Sequence, residues 1–195
     1  MPYYGFYFDP TYLLVLIGVV LCMIASARVK TTYKKYEKVG SRSGYTADQV
    51  AYMILRNAGI TDVSIHHISG DLTDNYNPKE HTLNLSDSVY GSRSIAAIGV
   101  AAHECGHAIQ HAHGYAPMSI RAALVPVVNI GSNLSIPLIF LGVLLSWNQT
   151  LIQLGIWAFA LTVIFQLVTL PVEFNASHRA IVKVEEYGLL GSEEV

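Results

Sequence analysis

The chain has 195 residues, of which 52% are hydrophobic and only 13% charged, with a formal net charge of −2. That length admits one polar domain of modest size, and the shortage of charge against about 25% in an average globular domain points toward lipid. A nearly neutral chain argues against a nucleic-acid partner. The two cysteines, Cys22 in an apolar run and Cys105 inside a helical pattern, offer neither a disulfide framework nor a C-x-x-C zinc site.

The 18 positions from Pro10 to Ala27 carry no charge. As a helix they span about 27 Å, close to the ~30 Å hydrocarbon core of a bilayer. A signal peptide needs basic residues before its apolar run, whereas here Met1 to Asp9 has none and the bases follow. Residues 1–27 are therefore predicted to be an N-terminal transmembrane anchor. Residues 28–44, basic and then rich in Gly and Ser, read as a stalk at the membrane surface whose lysines suit anionic lipid as well as solvent.

The polar domain is predicted over 28–121. Thr46 is a candidate N-cap for a helix carrying Val50, Ala51, Met53, Ile54 and Ala58 at helical spacing, with Gly59 as its stop. Residues 62–68, 71–76 and 81–86 read as three strands of a small antiparallel sheet, with a turn at Asn77-Pro78. His66 and His67, adjacent on one strand, point to opposite faces and cannot share a metal. A second helix is predicted from Ser92.

Residues 122–172 contain no charge and no histidine. At about 20 residues per span this is room for two transmembrane helices, with a turn at Trp147-Asn148-Gln149-Thr150. Pro126 and Pro137 are expected to kink or interrupt the first helix. Asn129, Ser132 and Asn133, on one side of it, are expected to hydrogen-bond between helices. Residues 173–195 follow as a further helix and tail. Ten of the 12 Lys and Arg lie in 28–121, and the others are Arg179 and Lys183. The positive-inside rule then sets the N-terminus and the 147–150 turn outside, with 28–121 and 173–195 in the cytoplasm.

Chemistry concentrates in His103-Glu104-Cys105-Gly106-His107. Histidines four apart lie one turn apart on a single helix face, so both imidazoles can reach one ion, and the glutamate beside them can take a proton from water. Cys105 projects elsewhere. A catalytic zinc needs a third protein ligand. His113 has the spacing of the H-E-x-x-H-x-x-G-x-x-H pattern, but Gln110 stands where that pattern has the glycine that turns the chain. Glu173 emerges from the last span on the side where His103 and His107 lie, because two spans intervene. It is the favoured third ligand, with Glu80 and Asp87 as further candidates.

H-E-x-x-H, two apolar spans and then Glu173-Phe174-Asn175-Ala176 resemble the membrane-bound gluzincins, which include the heat-shock and prenyl-protein membrane proteases. With DNYNP, HTLNLS, AAHECGHAIQH and PVEFNAS, nearly the whole chain is similar to the bacterial neutral zinc metallopeptidase (YugP-like) family. The larger gluzincin families place an aspartate four residues after the ligand glutamate; here that position is Ser177, whose hydroxyl can still bond a ligand histidine.

The resemblance implies an α+β, zincin-like domain at the bacterial inner membrane. It implies one zinc per chain on His103, His107 and Glu173, with Glu104 as general base. Ser177, His178 and Arg179 are candidates for stabilising the transition state or supporting the ligands. A polypeptide is the expected substrate and the bilayer and membrane proteins the expected partners. The strand at 81–86 is a candidate for pairing with an extended peptide. Family members continue into a further apolar segment, so an extension past Val195 is expected. The rival class is a zinc-stabilised membrane scaffold that cuts nothing, and a zinc hydrolase of non-peptide amides is a second; a structural site has no need of Glu104.

Overall fold

The computed structural model describes residues 10–191, 193 and 194, so the first nine positions of the expected anchor, and Val195, lie outside the described residues. Helix α1 (Thr11–Tyr36) has no buried residue. It continues through residues 28–36, which the composition suggested as the start of a stalk. That stretch holds no Gly or Pro to stop a helix, and Lys34 and Lys35 in the last turn favour its C-terminal dipole.

Helix α2 (Ala47–Asn57) opens with the Thr46 N–H donating to Gln49 Oε1 at 3.1 Å, and ends before Gly59, whose φ of +75° suits a glycine. Its buried face carries Val50, Ala51, Ile54 and Leu55. Three strands follow: β1 (Ser64–His67), β2 (Asn75–Asn77) and β3 (Thr82–Leu85), in the order β1-β3-β2.

The β2–β3 hairpin is antiparallel as expected, but β1 runs parallel to β3, so the sheet is mixed and not antiparallel. The cause lies in the segment between β1 and β2. Gly70 N–H donates to Asp87 Oδ2 and Leu72 N–H to Ser88 Oγ, which ties that segment across the end of β3 instead of beside β1. The chain then returns on the far side, and the strand expected at 71–76 shrinks to its last residues. β3 is central, with Leu83 and Leu85 fully buried and both of its edges already paired. It has no free edge for the added peptide strand the sequence suggested.

Helix α3 (Ile95–Ala112) starts three residues later than expected, after an N-cap at Ser94 whose Oγ accepts from Ala97 N–H at 3.1 Å. Its Ile98, Ala101 and Cys105 join Ile54 of α2 and Leu83 and Leu85 of β3 in one core. Helices α4 (Ala116–Leu144) and α5 (Gln149–Glu186) form a long hairpin, with Asn148 Oδ1 accepting from Thr150 N–H and Leu151 N–H at its tip. α4 runs through Pro126 and Pro137 without the interruption expected there.

The expected hydrogen bonding between α4 and α5 is absent among the described residues. Ser132 Oγ donates within its own helix, to Asn129 O, and Asn129 and Asn133 are exposed. Small residues hold the pair instead: a Cβ on Gly155 would lie 2.7 Å from Ser135 O and 2.5 Å from Ile139.

By length and composition α1, α4 and α5 are each apolar enough to cross a bilayer. At 38 residues α5 is about 57 Å long, far more than a ~30 Å hydrocarbon core. Its C-terminal part extends beyond the apolar stretch and packs on α3, where Ala180 and Val184 enter the core.

Candidate metal centre

The site lies where α3 and α5 cross. Gly106, inside the histidine motif, permits the approach: a Cβ there would sit 2.4 Å from the Ala176 carbonyl oxygen. The contact brings Glu173 opposite the two histidines. Glu173 Oε2 is 3.2 Å from His103 Nε2 and 3.5 Å from His107 Nε2, and donor atoms of all three residues lie within 4.8 Å of one another. Ligand atoms held tetrahedrally at zinc bond lengths of about 2.0–2.1 Å stand roughly 3.3 Å apart. Two imidazoles and a carboxylate converging in this way are a donor set that would fit a zinc ion.

Each donor is oriented from behind. Gln110, fully buried, accepts on Oε1 from His107 Nδ1–H at 3.0 Å, which leaves the Nε2 lone pair facing Glu173. The Gln110 Nε2 group donates to Val172 O at 2.8 Å and Asn175 Oδ1 at 3.0 Å, so the same side chain fixes a histidine and the helix bearing the carboxylate. Ser177 Oγ lies 3.1 Å from His103 Nδ1, the contact its position suggested. Arg121 Nη1 stands 3.4 Å from Glu173 Oε1, neutralising the oxygen that faces away from the histidines.

Glu104 is not one of the converging donors. Burial pushes its pKa up, against the pull of His107 and His103. Tyr76 holds β2 against α3: its hydroxyl is 2.8 Å from His111 Nδ1, and burial pushes that hydroxyl to about 12. Cys105 is buried with Sγ toward Ala51 O, and burial raises its thiol pKa.

The other candidate ligands are engaged elsewhere. His113 Nδ1 bonds Ile109 O at 2.8 Å, Asp87 bonds His67, and Glu80 accepts from Asn77. His66 bonds Ser64. Of the residues following Glu173, Arg179 donates from Nε to Asn175 Oδ1 at 2.8 Å, whereas His178 is exposed.

The family model described as "Putative neutral zinc metallopeptidase" matches residues 11–195. The chain belongs to this family. It is also 45% identical over 170 residues to the Bacillus subtilis (strain 168) protein "Putative membrane protease YugP", covering 87% of this chain and 75% of that one. No solved structure matches it significantly.

Of the residues around this site, sequence reading missed Arg121, Gln110, Asn175 and the close approach at Gly106. Arg121 had a usable signal. It and Glu173 flank the uncharged stretch 122–172, so the two spans that return Glu173 to the histidines also return it to Arg121. In the sequence Gln110 stands out only as a missing glycine; its burial depends on α5, which no local pattern shows.

Proposed function

We propose that the protein is a zinc-dependent endopeptidase that cuts polypeptides at the cytoplasmic surface of a bacterial membrane, with a zincin-like site on α3 and α5. The convergence of His103, His107 and Glu173 with Glu104 left out of the donor set carries this reading. A purely structural site would not require a buried carboxylate beside the ligands. A zinc ion on the three donors supplies Lewis acidity, acidifying water and polarising a carbonyl oxygen. Glu104 takes the proton of the attacking water on its carboxylate and passes it to the leaving amine nitrogen. Its burial suits the first half of that transfer, because a carboxylate with a raised pKa takes up a proton more readily.

The test is hydrolysis of a proteome-derived peptide mixture by the purified chain with zinc and with chelator. Glu104→Gln should keep about one zinc per chain and lose at least ~10²-fold in rate, as expected for removal of an acid–base group. Loss of the metal together with the activity would mean that Glu104 is not acting as the base.

The cytoplasmic orientation follows from the distribution of Lys and Arg. Cysteines introduced at Ser41 and Gln149 are expected to differ toward an impermeant thiol reagent on intact cells, with only position 149 labelled. Labelling at 41 alone reverses the topology.

A further inference from the structure

We propose that a cleft of about 900 Å³, running back from His103 and Glu104 between α1, α3 and α5, binds an apolar run of the substrate polypeptide on one side of the scissile bond. The proposal rests on the peptidase reading above and adds the substrate class. The cleft is within the 300–1,000 Å³ range of ligand sites. His103 and Glu104 lie in its lining, so whatever occupies it is continuous with the reacting bond.

Apolar side chains enter it from three helices, Val29 from α1, Ile95 and Val100 from α3, and Ile181 and Val184 from α5, while α1 also brings Arg28, Thr32 and Tyr33. Apart from Glu104, the carboxylates of its lining have partners of their own: Asp74 with Ser86, Glu193 with Arg42, and Glu194 with the Arg42 and Gly191 N–H groups. From Ile95 to His103 the α3 wall is about 12 Å long, at 1.5 Å per residue. An extended chain rising about 3.3 Å per residue places three to four residues along it.

Gly99 gives an independent sign of use. It lies in the lining, inside α3 and one turn before His103, where a glycine weakens the helix relative to alanine. Nothing in the fold asks for it: a Cβ there meets no atom within 4 Å, and its φ is not positive. By contrast, Gly106 on the same helix is demanded by Ala176. A residue that weakens its own helix without a packing reason marks a functional surface. Here it keeps the cleft floor flat where a peptide backbone must lie close.

The α1 wall decides where the substrate comes from. Arg28 and Val29 line the cleft immediately after the charge-free run ending at Ala27, so a chain seated there lies beside the helix as it leaves the apolar stretch. The class implied is a polypeptide whose apolar segment reaches the site from the bilayer surface.

The test uses the full chain in detergent with zinc bound. In one series of fluorogenic peptides three Leu/Val positions before the mapped scissile bond are changed to Ser; in a second, three positions after it. Replacement on one side is expected to lower kcat/KM at least ~10-fold, as removal of methylenes from an apolar pocket does. Gly99→Phe should abolish that preference, and Gly99→Ala should lower kcat/KM for the apolar series by a smaller factor, with zinc content equal in both. Ile181→Ser, a change on a different helix, should weaken the preference too.

Binding is read separately, by anisotropy of labelled peptides on Glu104→Gln protein. Apolar-selective, Gly99-dependent binding without hydrolysis by the native chain would overturn the peptidase reading and leave the cleft assignment standing. Equal handling of the apolar and Ser series, or a preference surviving both Gly99→Phe and Ile181→Ser, overturns the cleft assignment.

Discussion

One helix, α5, packs by two different kinds of physics along its length. Over residues 149–172 it lies on α4 through glycines, with Gly131 near Ala158, Gly142 near Ile152 and Gly155 near Ser135, and no side-chain hydrogen bond joins the two helices there among the described residues. From Glu173 onward it lies on α3 through one glycine contact and a polar network: Gln110 to Val172 and Asn175, Ser177 to His103, and Glu173 to both histidines. By length and composition the first half is apolar enough to cross a bilayer. In lipid, tails as apolar as the side chains would leave close packing as the main source of adhesion, whereas beyond the apolar stretch buried polar groups can be satisfied and made to fix geometry. The candidate site sits at the junction, so Glu173 is placed by the hairpin below and the network above.

The largest expected effect separates the two candidate third ligands. Glu173→Ala should abolish zinc binding and hydrolysis, because loss of a direct ligand exceeds the 10–100-fold typical of an outer partner. His113→Ala should keep both, since that ring bonds only the Ile109 carbonyl of its own helix. Zinc analysis of the two purified variants decides it, and the opposite pattern would remove α5 from the site altogether.

Much of this was legible beforehand, and what was not has a physical reason. His103, Glu104 and His107 follow from helical spacing, and Glu173 from counting spans; both are rules of one dimension. The parallel pairing of β1 with β3 was not legible, because strands of four residues carry too little pattern to fix a partner, and side-chain bonds from Asp87 and Ser88 redirect the chain. Gln110 and Asn175 are ordinary polar residues until α3 and α5 meet. The hairpin's expected polar contacts failed because Ser132 turned to its own backbone, a common alternative for a hydroxyl in a helix.

The second effect compares the two glycine contacts. Gly106→Ala puts a methyl 2.4 Å from the Ala176 carbonyl oxygen and must push α5 off α3 by roughly 1 Å, with the 1–3 kcal/mol typical of overpacking. Because Glu173 moves with the helix, zinc affinity should fall by at least ~10-fold. Gly155→Val imposes a clash of similar size against Ser135 and Ile139, but on the hairpin. It should lower thermal stability in detergent while changing zinc affinity less. Equal losses of zinc affinity in both would mean that α5 moves as one rigid rod and that its two halves are not separable.

The smallest effect concerns Ser177, on the polar half of α5. Its hydroxyl lies 3.1 Å from His103 Nδ1, as an orienting partner should, but the residue is exposed. In Ser177→Ala a water can take the same place, so the histidine keeps a partner and loses only its fixed direction. Zinc affinity is therefore expected to fall by about 10-fold, at the low end of the outer-partner range. Ser177→Asp should act in the opposite sense. A carboxylate holds the imidazole more firmly than a hydroxyl and makes Nε2 more basic, so zinc should bind more tightly than in the native chain. Competition with a chromogenic chelator, run on both variants at one pH, measures the two shifts against each other. Tighter binding in Ser177→Ala, or weaker binding in Ser177→Asp, would mean that this hydroxyl does not orient His103. The polar half of α5 would then hold its site through Gln110, Glu173 and Arg121 alone.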